Sequence, residues 1–246
     1  MWAWSRDETY QENHVPNNGN SIPKDDPILT SEISENTDRQ HIICFDRKNK
    51  LSIVSTGDES IIFWNWEEFH LEYYIAKVPK SEFGNLTGKF TCSLFLSGTN
   101  TAVTSTTDGH VVVWEPTHER GYGGKKKNDN NDNNNNNNNK IHKKRSLKSA
   151  SKVLKLIECG ITTMTTTENN YLALGCSDGA VRFYDFYLRL ESWFEDLQGG
   201  AVSSLSFSLE RNPYNEKEAG TPGLKFWVPN FVIGTTDALV IGKLFD

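Results

Sequence analysis

The sequence predicts an all-β protein built as a β-propeller: about four blades plus a half, forming an arc of a larger, seven-bladed ring. Three observations predict it. Four segments repeat one pattern: LSIVSTGDESIIFWNW (51–66), TAVTSTTDGHVVVWEP (101–116), YLALGCSDGAVRFYDF (171–186) and NFVIGTTDALVIGKLF (230–245). Each is an apolar strand, a small-residue cluster ending in Asp, and a second apolar strand. The acids Asp58, Asp108, Asp178 and Asp237 lie 50, 70 and 59 residues apart. Setting two polar inserts aside brings the last two intervals near about 42, the period of a four-stranded blade. Finally, Ile61–Trp64 and Val111–Trp114 are continuously apolar, as inner strands covered on both faces are.

The elements follow in order. Residues 1–11 read as a strand remnant of a preceding blade, because Trp2-Ala3-Trp4 aligns with Trp64-Asn65-Trp66. Residues 12–39 contain Pro16, Pro23, Pro27 and the pair Asn18-Gly19, and read as a polar loop. Residues 40–246 hold the blades. Their first strands are expected at HIICF (41–45), FTCSLFL (90–96), ITTMTTT (161–167) and VSSLSFS (202–208). The repeated segments supply the second and third strands. More polar fourth strands are expected at HLEYYIA (70–76), VLKLIE (153–158) and LRLESWF (188–194).

Asp-Gly at 108–109 and 178–179 lies between apolar runs and signals a tight two-residue hairpin turn. The carboxylate can accept hydrogen bonds from turn amides. Six residues beyond the four acids stand Trp64, Trp114, Tyr184 and Lys243. A Lys/Asn-rich insert at 117–152 has nothing to bury and is expected to be disordered. A second insert, 209–225, carries Pro213 and Pro222 and reads as a loop. A ring of seven blades needs roughly 290 residues, so the chain is expected to be an arc with apolar blade faces left open.

Composition narrows the function. The 246 residues carry a net charge of −6, which excludes a globally basic nucleic-acid binder. Charge is distributed unevenly: residues 125–152 hold +7 and the remainder −13. No apolar run approaches the roughly 18 residues of a membrane-spanning helix. The acids Asp7 and Glu8 fall where a signal peptide needs an apolar stretch. Cys44, Cys92, Cys159 and Cys176 are far apart with no CxxC pair, so neither a disulfide framework nor a zinc site is expected, and a reducing compartment is the default.

Few residues suggest chemistry. The four acids recur one per blade, so they are expected on separate turns around a ring rather than in a catalytic cluster. Together with Trp64, Trp114 and Tyr184 they read as structural markers of the blades. The six histidines show no metal-ligand spacing. Gly121–Lys126 lacks the first glycine and the Ser/Thr of a phosphate loop, and no GxSxG elbow occurs. Neither a catalytic residue nor a cofactor is predicted. The aromatic run Phe183–Tyr187, with Trp193 and Phe194, is assigned to blade core; Trp66, if exposed, would suit a partner. Lys125, Lys126, Lys127, Lys143, Lys144 and Arg145 form the sharpest patch, able to contact a polyanion such as the acidic tails of tubulin. It lacks the interleaved aromatics of a single-strand nucleic-acid binder.

Trp64-Asn65, Trp114-Glu115 and Tyr184-Asp185 occupy the place of the Trp-Asp pair, and the chain resembles the WD-repeat β-propeller family. The Gly-His pair ahead of the first strand is missing, although His41 stands near its place in the first blade. Within that fold, GNLTGKFTCSLF (84–95), DGHVVVWEP (108–116), ALGCSDGAVRFYDFYLRLESWFEDLQGGAVSSLSFS (173–208) and PNFVIGTTDALV (229–240) are similar to the cilia- and flagella-associated protein 251 family.

That resemblance implies a non-catalytic scaffold of the ciliary or flagellar axoneme. It would dock a radial-spoke base complex near doublet microtubules and support regulation of motility. The implied partners are other axonemal and radial-spoke proteins, tubulin, and calmodulin indirectly through the complex, with no membrane and no nucleic acid. No EF-hand loop occurs in this chain. The alternative is a general cytosolic or nuclear WD-repeat adaptor, such as a ubiquitin-ligase substrate receptor, with the basic insert as an import signal.

Overall fold

A computed structural model describes residues 2–3, 29–117 and 147–242, apart from 35, 68–69, 85, 196, 198 and 209–225. Among the described residues the regular structure is almost wholly β. Strands β1 (Trp2–Ala3) and β2 (Leu29–Thr30) form an antiparallel pair. Blade one is β3 (Gln40–Phe45), β4 (Ser52–Gly57), β5 (Ile61–Glu67) and β6 (His70–Ala76). After a single helical turn, α1 (Lys80–Phe83), blade two is β7 (Phe90–Phe95), β8 (Ala102–Thr106), β9 (His110–Pro116) and β10 (Lys148–Lys155). Blade three is β11 (Ile161–Thr166), β12 (Leu172–Cys176), β13 (Val181–Tyr184) and β14 (Leu190–Phe194). Blade four shows β15 (Val202–Phe207), β16 (Phe231–Thr235) and β17 (Leu239–Gly242). Each blade is an antiparallel meander in chain order, the arrangement of a four-blade β-propeller.

The core is a series of seams between blades. Val54, Ile61 and Phe63 of blade one meet Phe95, Val112 and Trp114 of blade two. Leu94, Val103 and Val111 of blade two meet Ile161, Leu172 and Leu174 of blade three. Ala173, Val181 and Phe183 of blade three meet Val202 and Ile233 of blade four. The second and third strands of blades one to three are therefore buried on both faces, which explains their unbroken apolar runs, whereas Leu239 and Ile241 of β17 are exposed. Each such Val, Leu, Ile or Phe contributes about 1.5–3 kcal/mol on burial. The other face of blade one, with Ile53, Ile62 and Trp64, packs against Ile33, just after β2.

One irregularity recurs in all four blades. The first strand slips register against the second between Gln40 and Ile42, Phe90 and Cys92, Ile161 and Thr163, and Val202 and Ser204. The extra residue of each β-bulge is polar: His41, Thr91, Thr162 or Ser203. Thr162 Oγ1 donates to Gly175 O at 2.9 Å and also to Val202 O, while Ser203 Oγ donates to Gly234 O at 3.1 Å.

Three details depart from the sequence reading. The fourth strand of blade two, expected over 153–158, runs Lys148–Lys155. Residues 148–152 thus belong to a blade rather than to the insert, because the Lys148 amide donates to the Tyr74 hydroxyl of blade one at 2.6 Å and anchors the strand early. The segment read as a polar loop, 12–39, contributes β2. The Asp-Gly turns are not two-residue turns: Gly109 N donates to Thr106 O at 3.2 Å and Gly179 N to Cys176 O at 3.1 Å, with φ of 77° and 83° at the glycines. Each is a type I turn closed by a left-handed glycine, a three-residue hairpin loop.

Candidate functional site

The two rims of the arc are built differently. On one rim stand the hairpin tips that join second to third strands, and these tips hold the connectors between blades. Phe90 N donates to Asp58 O at 2.8 Å, and Thr107 N donates to Lys89 O at 2.9 Å. The connector ahead of blade two is therefore gripped by the tips of blades one and two. At the next junction Leu156 N donates to Gly109 O at 3.0 Å and Ser177 N to Gly160 O at 2.9 Å. Ahead of blade four, Thr236 N donates to Ala201 O at 2.9 Å and Asp237 N to Gly199 O at 3.1 Å.

The four acids sit at these tips, one in each blade, each with its own surroundings. Asp58 accepts from Lys89 Nζ at 2.7 Å, and His41 Nδ1 lies 3.9 Å away. The Lys89 ammonium holds this carboxyl below the usual range. Asp178 takes both arms of the Arg182 guanidinium at 3.1 and 2.7 Å and the Ala180 amide at 3.0 Å. That pairing, against some burial, brings it to about 2. Asp108 lies beside Gly88, and Asp237 beside Gly200.

Trp64, Trp114 and Tyr184 are buried, Trp114 and Tyr184 in the seams between blades and Trp64 on the other face of blade one. Trp64 Nε1 donates to Ser55 Oγ at 2.9 Å; Ser55 Oγ donates to Gln40 Oε1 at 2.8 Å; Gln40 Nε2 donates to Ser60 Oγ at 2.8 Å; and Ser60 Oγ donates to Asp38. Gln40, not the bulged His41, carries this relay. In blade two Trp114 Nε1 donates to Thr104 Oγ1, which pairs with Ser93 Oγ at 2.7 Å. Lys125, Lys126, Lys127, Lys143, Lys144, Arg145 and Lys243 lie outside the described residues.

The opposite rim carries the remaining turns, and there a cleft of about 730 Å³ opens between blades two and three. Val103, Val113 and Leu154 form its apolar wall, Glu115 and Lys152 its charged flank, and the 185–188 turn its lip. The lip is rigid: Asp185 accepts from Tyr187 N at 2.9 Å, Arg189 N at 2.8 Å and Arg189 Nε at 2.6 Å. Burial opposes its charge, yet these donors hold the Asp185 carboxyl below the usual range. Leu188 sits at φ 64° in the left-handed region, a strained setting for a branched side chain. Tyr187 stands out of the lip, 83% exposed, with the Arg189 guanidinium 5.4 Å from its ring centre.

The aromatic run therefore divides. Phe183 is fully buried against Phe194, Phe207 and Phe226, while Tyr187 and the half-exposed Trp193 are not core. Trp66 is partly buried against Ile53, Ile62 and Trp64. Sequence reasoning missed Tyr187 because it assigned the whole aromatic run to blade core. The Asp185–Arg189 spacing around an interrupted pattern was the available signal for a turn.

Among the described residues one group has ligand atoms close enough for a metal ion: Cys159, Cys176 and Asp178, within 4.8 Å of one another. The sequence had separated these cysteines by distance along the chain; the fold brings them together. Arg182 Nη1 lies 3.8 Å from Cys159 Sγ while the same guanidinium clamps Asp178. A fixed positive charge thus occupies the place a cation would need. All four cysteines are free thiols.

The family model described as the CFAP251 N-terminal domain matches residues 18–243. Among curated relatives, cilia- and flagella-associated protein 251 of Chlamydomonas reinhardtii is 30% identical over 218 residues, 87% of this chain and 24% of the relative. Its namesake in Tetrahymena thermophila is 26% identical over 264 residues, 100% of this chain and 23% of the relative. That of Pongo abelii is 28% identical over 231 residues, 87% of this chain and 18% of the relative. The chain spans less than a quarter of the length of these relatives.

Proposed function

The chain belongs to the CFAP251 N-terminal domain family, and from that membership we propose that it serves in cilia as a non-catalytic scaffold of the axoneme. It docks a radial-spoke base complex beside doublet microtubules and supports regulation of ciliary motility. Its blades are degenerate WD repeats, a reading supported by the Trp64–Ser55–Gln40 relay in blade one.

One observation carries the scaffold reading: a stiff lip presents Tyr187 at 83% exposure above a cleft between two tightly packed blades. A rigid exposed aromatic loses little entropy on binding and is a common anchor of protein interfaces. The dispersed acids favour support over bond chemistry. The partners are axonemal and radial-spoke proteins, with calmodulin reached indirectly through the complex. The basic insert adds electrostatic attraction to tubulin tails.

The test is the position of the tagged full-length protein in a ciliated cell, before and after detergent removes the ciliary membrane. Retention along the demembranated axoneme, with spoke-base proteins co-purifying, is expected. A diffuse or nuclear signal overturns the reading and favours a general adaptor.

A further inference from the structure

We propose that Cys159 and Cys176 form a peroxide-responsive dithiol, in which Cys159 is oxidised first and Cys176 closes a disulfide across the junction of blades two and three. The two sulfurs come from different elements. Cys176 ends β12; Cys159 lies in the connector between the blades. Their Sγ atoms are within 4.8 Å, and a rotamer change supplies the remaining approach to a bond of about 2.05 Å. The adjacent backbones are already tied side by side: Ser177 N donates to Gly160 O at 2.9 Å and Gly160 N to Ser177 Oγ at 3.0 Å. Closure therefore asks for side-chain movement within a fixed frame.

The two thiols have unequal surroundings. Cys159 is partly exposed, and Arg182 Nη1 stands 3.8 Å from its sulfur. The partial exposure of Cys159 admits a small oxidant to this sulfur. Cys176 has no exposed surface, and burial pushes its thiol up to about 12. It is shielded from direct oxidation, and its nearness to Cys159 rather than its acidity suits it to resolve a sulfenic acid there.

The chemistry balances with hydrogen peroxide as oxidant. The Cys159 thiolate attacks one peroxide oxygen; the O–O bond breaks, and the leaving hydroxide takes up a proton to become water. Cys159 is then a sulfenic acid. The Cys176 sulfur attacks the Cys159 sulfur, the S–O bond breaks, and the departing hydroxide takes the Cys176 proton as a second water. Two thiols and one peroxide thus give a disulfide and two waters. A small-molecule thiol reverses the step by exchange.

The consequence is local stiffening. The connector is held by the Gly109 carbonyl on one side and by the Cys176–Gly179 turn on the other. A covalent tie there fixes the connector to β12 of blade three just after it leaves the tip of blade two.

The test uses the full-length protein, reduced and then exposed to graded hydrogen peroxide, with free thiols alkylated before digestion and mass spectrometry. The expected product is a reductant-sensitive peptide joining Cys159 to Cys176. Cys159→Ser, a change at a partly exposed position, abolishes it. Cys176→Ser leaves the Cys159 sulfenic acid unresolved, so that a dimedone probe captures it. Three results overturn the proposal: Cys159 accumulating as sulfinic acid while Cys176 stays a thiol; both remaining thiols at doses that oxidise Cys44; or stoichiometric zinc in the reduced protein shielding both from alkylation.

Discussion

The indole Nε1 of Trp114 donates to Thr104 Oγ1 at 2.8 Å across the two inner strands of blade two, and the tryptophan has no exposed surface at all. Its ring meets Phe63 of blade one edge-on at 5.8 Å. One side chain thus fixes the pairing within its own blade and fills the seam to the next.

Trp114→Ala is expected to lower stability by about 3–5 kcal/mol, the cost of a large buried aromatic. Thr104 keeps Ser93 as a partner, so most of the loss is volume rather than a stranded hydroxyl. Urea unfolding of the two proteins measures it. A loss below about 1 kcal/mol would count against the seam as the source of stability.

Two left-handed glycines give an internal comparison. Gly98 has φ 74° and nothing within 4 Å of an added Cβ, so Gly98→Ala meets backbone strain alone, about 1 kcal/mol. Gly109 has φ 77°, and an added Cβ would lie 2.6 Å from the Cys159 carbonyl oxygen. Gly109→Ala should therefore cost clearly more and expose amides 156–157 to hydrogen exchange. Equal effects would mean that the tip does not hold the connector.

The acid limb of stability should depend on Arg182. Asp178 sits at about 2 in the folded chain, below the usual unfolded value near about 3.9. A depressed carboxyl contributes stability above its unfolded value and loses that contribution as pH falls through the folded one. Arg182→Gln should lower stability above about pH 4 and flatten the profile from there to about pH 2. Denaturation midpoints across that range decide it; parallel profiles would remove the pair from the account.

Tyr187→Ala should leave the melting temperature unchanged, because the side chain is 83% exposed. It should reduce recovery of axonemal partners about tenfold or more if the ring is an anchor. Undiminished recovery would move the docking surface elsewhere.

How much was legible follows from where water reaches. Inner strands such as Ile61–Trp64 and Val111–Trp114 are covered on both sides, so their apolar runs announce them. Outer strands are half-wet: Lys148 and Ser149 open β10 with no apolar signal, and only the reach of Tyr74 from blade one fixes the start. The bulges were illegible for a related reason. An extra polar residue breaks alternation without leaving a gap, and so Gln40 rather than His41 takes the relay position. The meeting of Cys159 and Cys176 depends on register between a connector and a strand, which residue spacing alone does not encode.

The grip of the hairpin tips on the connectors is made mostly by amides and carbonyls. Every residue except proline brings that pair of groups, whatever its side chain. Inherited substitutions can therefore accumulate along this margin without unfastening one wedge from the next. Harmful alleles are expected to concentrate where a side chain is forbidden, as at Gly109, or where an amide is lost to proline.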